Sequence, residues 1–364
     1  MDNRRRAGRN GKIELMRFIC AIIIVLYHFD DAMDKRRFFA SGSLAVEFFF
    51  ILSGYLMMAY IDRQNNTQAG YNLGKETFQF LGRKVKALYP EVLIAYIIGF
   101  VVRCMAENKS FSGGVWLAVD SIWEVALLRQ TGLALKGINP VTWYISTMLM
   151  SMAIYYPLLR KYKEMMSHIL IPLASLLVLG WLCQNYTSPL DPSKWLGWAF
   201  KGAVRGFGEI GMGVVCYQLT KAFSKLHLTM VGKATVTFLE PVAYGLYIAY
   251  MYSMSGSKQS WIVIPLLVLG IGISFSGQTL THRLLDGSFT TLLGKISFPL
   301  YLGHFYWATF FLKLLPEGMS WENKLGIYIA LSVATTIVLY VISALTRRYH
   351  IGRKIGRLFV READ

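Results

Sequence analysis

The 364-residue chain reads as an all-α integral membrane protein of about ten transmembrane helices, and three observations predict this. Hydrophobic residues make up 54% of the sequence and charged ones only 16%, against roughly 45–50% and 25% in soluble domains. Apolar runs close to the ~20 residues that a bilayer crossing needs recur from end to end, with no polar stretch long enough for a separate soluble domain. The basic residues are sorted: 24 of the 38 Lys and Arg lie in 1–12, 62–86, 159–167, 220–234, 278–295 and 347–364, alternate gaps between the runs. That is the positive-inside pattern, and it predicts one domain over 1–364 with both termini, including short basic tails at 1–12 and 347–364, in the cytoplasm. The tail from 347 would lie on anionic lipid.

Apolar runs bounded by charge and Gly/Pro/Asn clusters place the spans. The first, near 13–29, follows a basic tail and ends in Tyr27, His28 and Phe29 before two acids. It lacks a small-residue cleavage site, so it is expected to be retained and not removed as a signal peptide. The second, near 44–61, stops at Asp62 and Arg63, and the third, near 87–105, follows the basic stretch "FLGRKVK". The gap 106–139 contains "GGVWLAVDSIWEVALL", where Asp120 and Glu124 weaken a crossing and predict an amphipathic or partly re-entrant helix. Spans near 140–158 and 168–184 are parted by "RKYKEMMS", and the sixth, 200–219, is glycine-rich. Four more follow near 235–254, 261–277, 291–314 and 325–346, the first two parted by "SGSKQS" and the last two by "PEGMSWENK".

The formal charge of +17 would suggest nucleic acid in a soluble protein. Here it sits in short loops where membrane orientation explains it, and no aromatic-interleaved basic groove argues for DNA or RNA. Cys20, Cys104, Cys183 and Cys216 lie within spans at spacings that match no metal site or disulfide framework, so they are expected to pack, and no metal is expected.

The first span carries the most chemistry. Glu14, Arg17, Ala21, Ile24 and His28 follow the rhythm of one helical face, and the eleven residues from Arg17 to His28 correspond to about 16 Å of helix. Ionisable residues inside a membrane are costly and face the protein interior or a wet cavity, where they mark function. Glu47 stands about one turn into the antiparallel second span, at a depth close to that of His28. A carboxylate beside an imidazole raises its basicity and fixes its tautomer, as a general base requires, so Glu47 is expected to polarise His28. His304 is the next candidate partner. Arg205 and Glu209, one turn apart in the sixth span, read as a pair that neutralises itself. Ser53 in "ILSGY" lacks the strand-to-helix elbow of a catalytic serine and is expected to bond its own backbone.

The ordered set "RFICAIIIVLYH", "VEFFFILSGYLM", "LGRKVKALYP" and "LLGKISFPLYLGH" resembles the acyltransferase 3 family of membrane-bound bacterial acyltransferases across essentially the whole chain. The resemblance implies a ten-span domain of the bacterial inner membrane that moves an acyl group, usually acetyl from acetyl-CoA, onto hydroxyls of cell-surface or lipid-linked glycans. It implies His28 and Glu47 as catalytic residues, with Arg17 and the cluster Arg83, Lys84 and Lys86 holding the donor's phosphates. Trp143, Ser146, Tyr301 and His304 would line the cavity. The family's usual glutamate five residues after the tryptophan is Met148 here, and Ala87 stands where another arginine is common. The rival reading is a secondary transporter or a flippase of a glycan or lipid-linked intermediate. Transporters often show two related halves with broken helices at matching places, and no such correspondence is visible.

Overall fold

The computed structural model describes residues 10–35, 37–64, 72–133, 137–186, 191–254 and 256–348. Most of both basic tails therefore lies outside the described residues, which are largely helical and contain no strand. The helices are α1 Gly11–Ala32, α2 Ala45–Arg63, α3 Leu73–Ala106, α4 Phe111–Asp120, α5 Trp143–Lys161, α6 Ile171–Asn185, α7 Lys201–Phe223, α8 Met230–Ser253, α9 Val263–Ser276, α10 Ser288–Gly303 and α11 Trp321–Arg348. With α4 set aside, a helix occupies each of the ten segments read as spans.

Among the described residues, five helical stretches are long and apolar enough to cross a bilayer: Gly42–Arg63, Leu73–Ala106, Lys163–Asn185, Lys258–Ser276 and Trp321–Thr346. α1 is as long but carries Lys12, Glu14, Arg17, Asp30 and Asp31. Burial separates centre from periphery, since 72% of the apolar window of Gly42–Arg63 is inside the protein against 22% of that of Leu73–Ala106. α3 and α11 thus show broad apolar faces, with Ile97, Val101, Val333 and Ile337 exposed, which suits contact with lipid.

α7 is the hub, packing against α2, α5, α6 and α9, while α1 lies along α10 and α10 along α11. Glycines allow the α2–α7 approach. A Cβ on Gly54 would strike the Ile210 carbonyl, and one on Gly213 would strike the backbone of Ile51 and Tyr55, so the two helices meet backbone to backbone. Gly54→Val is expected to force them apart and cost about 1–3 kcal/mol or more in unfolding measurements. An unchanged stability would show that the helices part without loss.

α4 lies largely at the surface, with Phe111, Val115, Trp116 and Val119 exposed and Leu117 buried. A short helix, Ile122–Val125, follows it. The ninth expected span is not continuous. α10 ends at Gly303, His304 occupies the break, and a π-turn, Trp307–Phe311, follows. Gly303 stands at the break, where glycine is poor in a helix interior, and Pro299 removes an amide donor one turn earlier, within α10.

Candidate active site

α1 sets the axis of the site. Asn10 caps it, accepting from the amides of Lys12 and Ile13. Glu14 is buried and holds the Arg17 guanidinium at 3.0 Å (Nη1 to Oε2). Gly294 of α10 leaves the space that the Glu14 carboxylate fills. Arg17 is thereby turned into a cavity of about 670 Å³ bounded by α1, α2, α3, α5, α10 and α11.

The cavity wall combines cations with aromatic and apolar side chains. Arg17, Lys84 and Lys295 supply three positive charges, and Phe49, Met148, Phe298 and Pro299 form apolar walls. Tyr144, Ser53 and Tyr301 also line it, with Ser53 and Tyr144 joined through their hydroxyls at 2.9 Å. Ser53 therefore faces the cavity instead of bonding its own backbone. Glu91 lines it too, accepting from Ser343 at 2.5 Å.

Of the three basic residues of "GRKVK", only Lys84 reaches this wall. Arg83 is exposed and donates to the Tyr60 hydroxyl at 2.7 Å, and Lys86 is exposed as well. Helix geometry accounts for the split: Lys84, Ala87, Leu88 and Glu91 all line the cavity at i, i+3, i+4 and i+7, while neighbours on the chain point about 100° away. The same rotation corrects the α5 positions. Tyr144 and Met148 line the cavity. Trp143 instead packs on Phe50 and under Arg205, and Ser146 is buried, accepting from the Gln130 amide at 3.0 Å. Lys295 has no counterpart among the sequence-derived site residues. It stands within the quoted motif "LLGKISFPLYLGH" as an unassigned cation.

Tyr301 joins the cavity to a histidine pair. Its hydroxyl donates to the Val141 carbonyl at 2.5 Å, and its ring lies 6.2 Å from Tyr144 on one side and 6.2 Å from His304 on the other. His304 is fully buried and does not line the cavity itself. Its Nδ1 lies 3.2 Å from the Leu300 carbonyl. A carbonyl only accepts, so Nδ1 carries the proton, and in the neutral ring Nε2 is left as an acceptor. Nε2 is buried with no hydrogen-bond partner among the described residues. The ring of His28 packs against the His304 ring at 5.2 Å between centroids and against Phe305 at 5.1 Å, and His28 is partly exposed.

Glu47 is elsewhere, which corrects its assignment as the partner of His28. Among the described residues no hydrogen bond or ion pair joins the two side chains. Glu47 instead faces Arg205 across α2–α7 at 3.5 Å, and Arg205 also meets Glu209 at 3.4 Å. All three side chains are 1% exposed or less. The Arg205–Glu209 pair is therefore a triad with a second carboxylate, roofed by Trp143 at 5.1 Å.

Beyond the spanning helices, Glu124 is buried beside the break in α10. Burial pushes its carboxyl above the ordinary range, while Arg129 and two backbone amides pull it the other way. Among the described residues no group of three His, Cys, Asp or Glu side chains gathers as metal ligands.

A family model described as an acyltransferase domain matches residues 10–344. No curated protein and no solved structure matches the chain.

Proposed function

The chain belongs to the acyltransferase family that this match defines, and from that premise we propose that it is a multi-pass O-acyltransferase of the bacterial inner membrane. Its donor is an acyl-CoA, acetyl-CoA by the family's habit, and its acceptor is a hydroxyl of a cell-surface or lipid-linked glycan. In this reading the ten segments marked as spans cross the bilayer with both termini in the cytoplasm, which puts the Arg17 end of α1 inside and the His28 end outside.

One observation carries this reading: a single cavity is lined by Arg17, Lys84, Lys295 and Tyr301, and Tyr301 is in ring contact with His304, which packs on His28. The cations suit the phosphates of coenzyme A, with arginine able to supply a bidentate fork and lysine a point charge. The thioester then lies toward Tyr301, and the acceptor approaches from the partly exposed side of His28. The acceptor oxygen forms the new C–O bond to the acyl carbonyl as the C–S bond breaks. The hydroxyl proton passes to His28, which returns it to the departing thiolate. The His304 ring, fixed by its Leu300 hydrogen bond and packed on His28 at 5.2 Å between centroids, orients the His28 ring in the place first given to Glu47. Incubating membranes with labelled acetyl-CoA and identifying the labelled product tests the reading; labelled product absent from membranes rich in the protein, with every other acyl-CoA also inert, would overturn it.

The revised donor grip makes its own prediction. Lys84→Ala with Lys295→Ala is expected to weaken coenzyme A binding at least tenfold, most strongly at low salt, because exposed cation–phosphate contacts are screened over about 8–10 Å at physiological ionic strength. Arg83→Ala with Lys86→Ala is expected to leave it within about twofold, since neither side chain reaches the cavity. Calorimetric titration of purified protein reads both pairs, and the opposite ranking would return the site to the exposed cluster.

A further inference from the structure

A helix that stops leaves its last four carbonyls without intrahelical partners. In α10, which stops at Gly303, two of these carbonyls have partners that bear on the site. Leu300 accepts from the His304 ring, and Leu302 accepts from the Asn139 side-chain amide at 2.8 Å. Asn139 lies 163 residues away in sequence, on the loop that enters α5. That loop is itself fixed. The two oxygens of Glu124 accept separately from the amides of Ile138 at 2.7 Å and Asn139 at 2.8 Å, and Arg129 sits 3.5 Å from the same carboxylate. Arg103 at the end of α3 donates to the Gly137 carbonyl at 2.7 Å. A side chain at Gly137 would collide with Arg129 and Glu124, so the residue is small where the clamp closes. Glu124 and Asn139 are both 1% exposed, and Asn139 Oδ1 has no partner among the described residues, so its amide nitrogen makes the contact.

We propose that Glu124 and Asn139 form a clamp that ends α10 at Gly303 and so holds the His304 ring against His28; they are positioning residues for the acyl transfer proposed above, on which this role rests. The carboxylate sets the loop backbone, the backbone sets the Asn139 amide, and the amide takes the Leu302 carbonyl, which lies two residues before His304. Without that capping bond the break is free to shift along the helix, and His304 loses the register that keeps Nδ1 on Leu300.

The test reads kinetics and ring chemistry on the full-length protein. Asn139→Ala is expected to lower kcat for transfer from acetyl-CoA at least tenfold with KM for acetyl-CoA unchanged, because no cavity-lining side chain is touched. Glu124→Gln, which keeps one acceptor for two amides, should move kcat in the same direction by less. In a His304→Ala background, Asn139→Ala should have no further effect, since residues acting as a unit are not additive. Imidazole 15N spectra, assigned with His304→Ala, should show a single Nδ1-protonated tautomer for His304 in the parent and a mixture in Asn139→Ala. This readout needs no turnover, so it judges the clamp even if acetyl-CoA proves to be no substrate. An unchanged His304 tautomer in a folded Asn139→Ala protein, or an equal loss of kcat with and without His304, would overturn the proposal.

Discussion

His28→Ala is expected to lower acyl transfer by about three orders of magnitude, equivalent to about 4 kcal/mol of transition-state stabilisation. The protein should remain folded, because the His28 ring is partly exposed and its ring contacts are with Tyr27, His304 and Phe305. Donor affinity should be unchanged, since the side chain does not line the cationic cavity. His304→Ala should be milder, about 10- to 100-fold, because it orients the base without taking the acceptor proton. The measurements are single-turnover transfer rates with labelled acetyl-CoA and donor binding on the same preparations. Parent-level transfer by His28→Ala would remove the base from the mechanism. Equal losses in both variants would instead mean that the two imidazoles act as one proton-handling unit.

Much of α1 was legible in the sequence because a helix has a fixed period: Arg17 lines the cavity, and His28, about three turns on, packs on His304. What a period leaves open is which face of a helix points inward when apolar residues surround it. In α3 the inward face is Lys84, Ala87, Leu88 and Glu91, and the run itself gives no reason to prefer it over the face bearing Arg83. In α5 the choice between Trp143 and Tyr144 was settled by Arg205 from α7 taking the tryptophan ring. The pairing of Glu47 with Arg205 spans 158 positions and two helices, and a residue list does not encode it. The break at His304 had local signals in Pro299 and Gly303, but the bond that caps it comes from Asn139, far away in the chain.

Arg205→Met is expected to be the most destabilising substitution in the protein, by about 3–5 kcal/mol, the range for removing one partner of a buried ion pair. Charge count is the reason. Two carboxylates, Glu47 and Glu209, share a single guanidinium, and all three groups are at most 1% exposed. Taking away the arginine leaves two acids facing each other in a water-poor interior, while taking the charge from Glu47 leaves a balanced Arg205–Glu209 pair. Glu47→Gln, which keeps size and hydrogen-bonding capacity, should therefore cost under about 1 kcal/mol and retain transfer activity close to the parent's. Replacing all three by apolar residues of similar volume should recover much of the stability lost in Arg205→Met, because well-packed apolar groups match buried ion networks in many proteins. Denaturant unfolding in one detergent reads the three variants, with transfer rates measured on each. Glu47→Gln that stays fully stable but loses activity would put this carboxylate back beside the chemistry. A stable Arg205→Met protein would show that the triad is wet or already neutral, and that the α2–α7 junction rests on Gly54 and Gly213 alone.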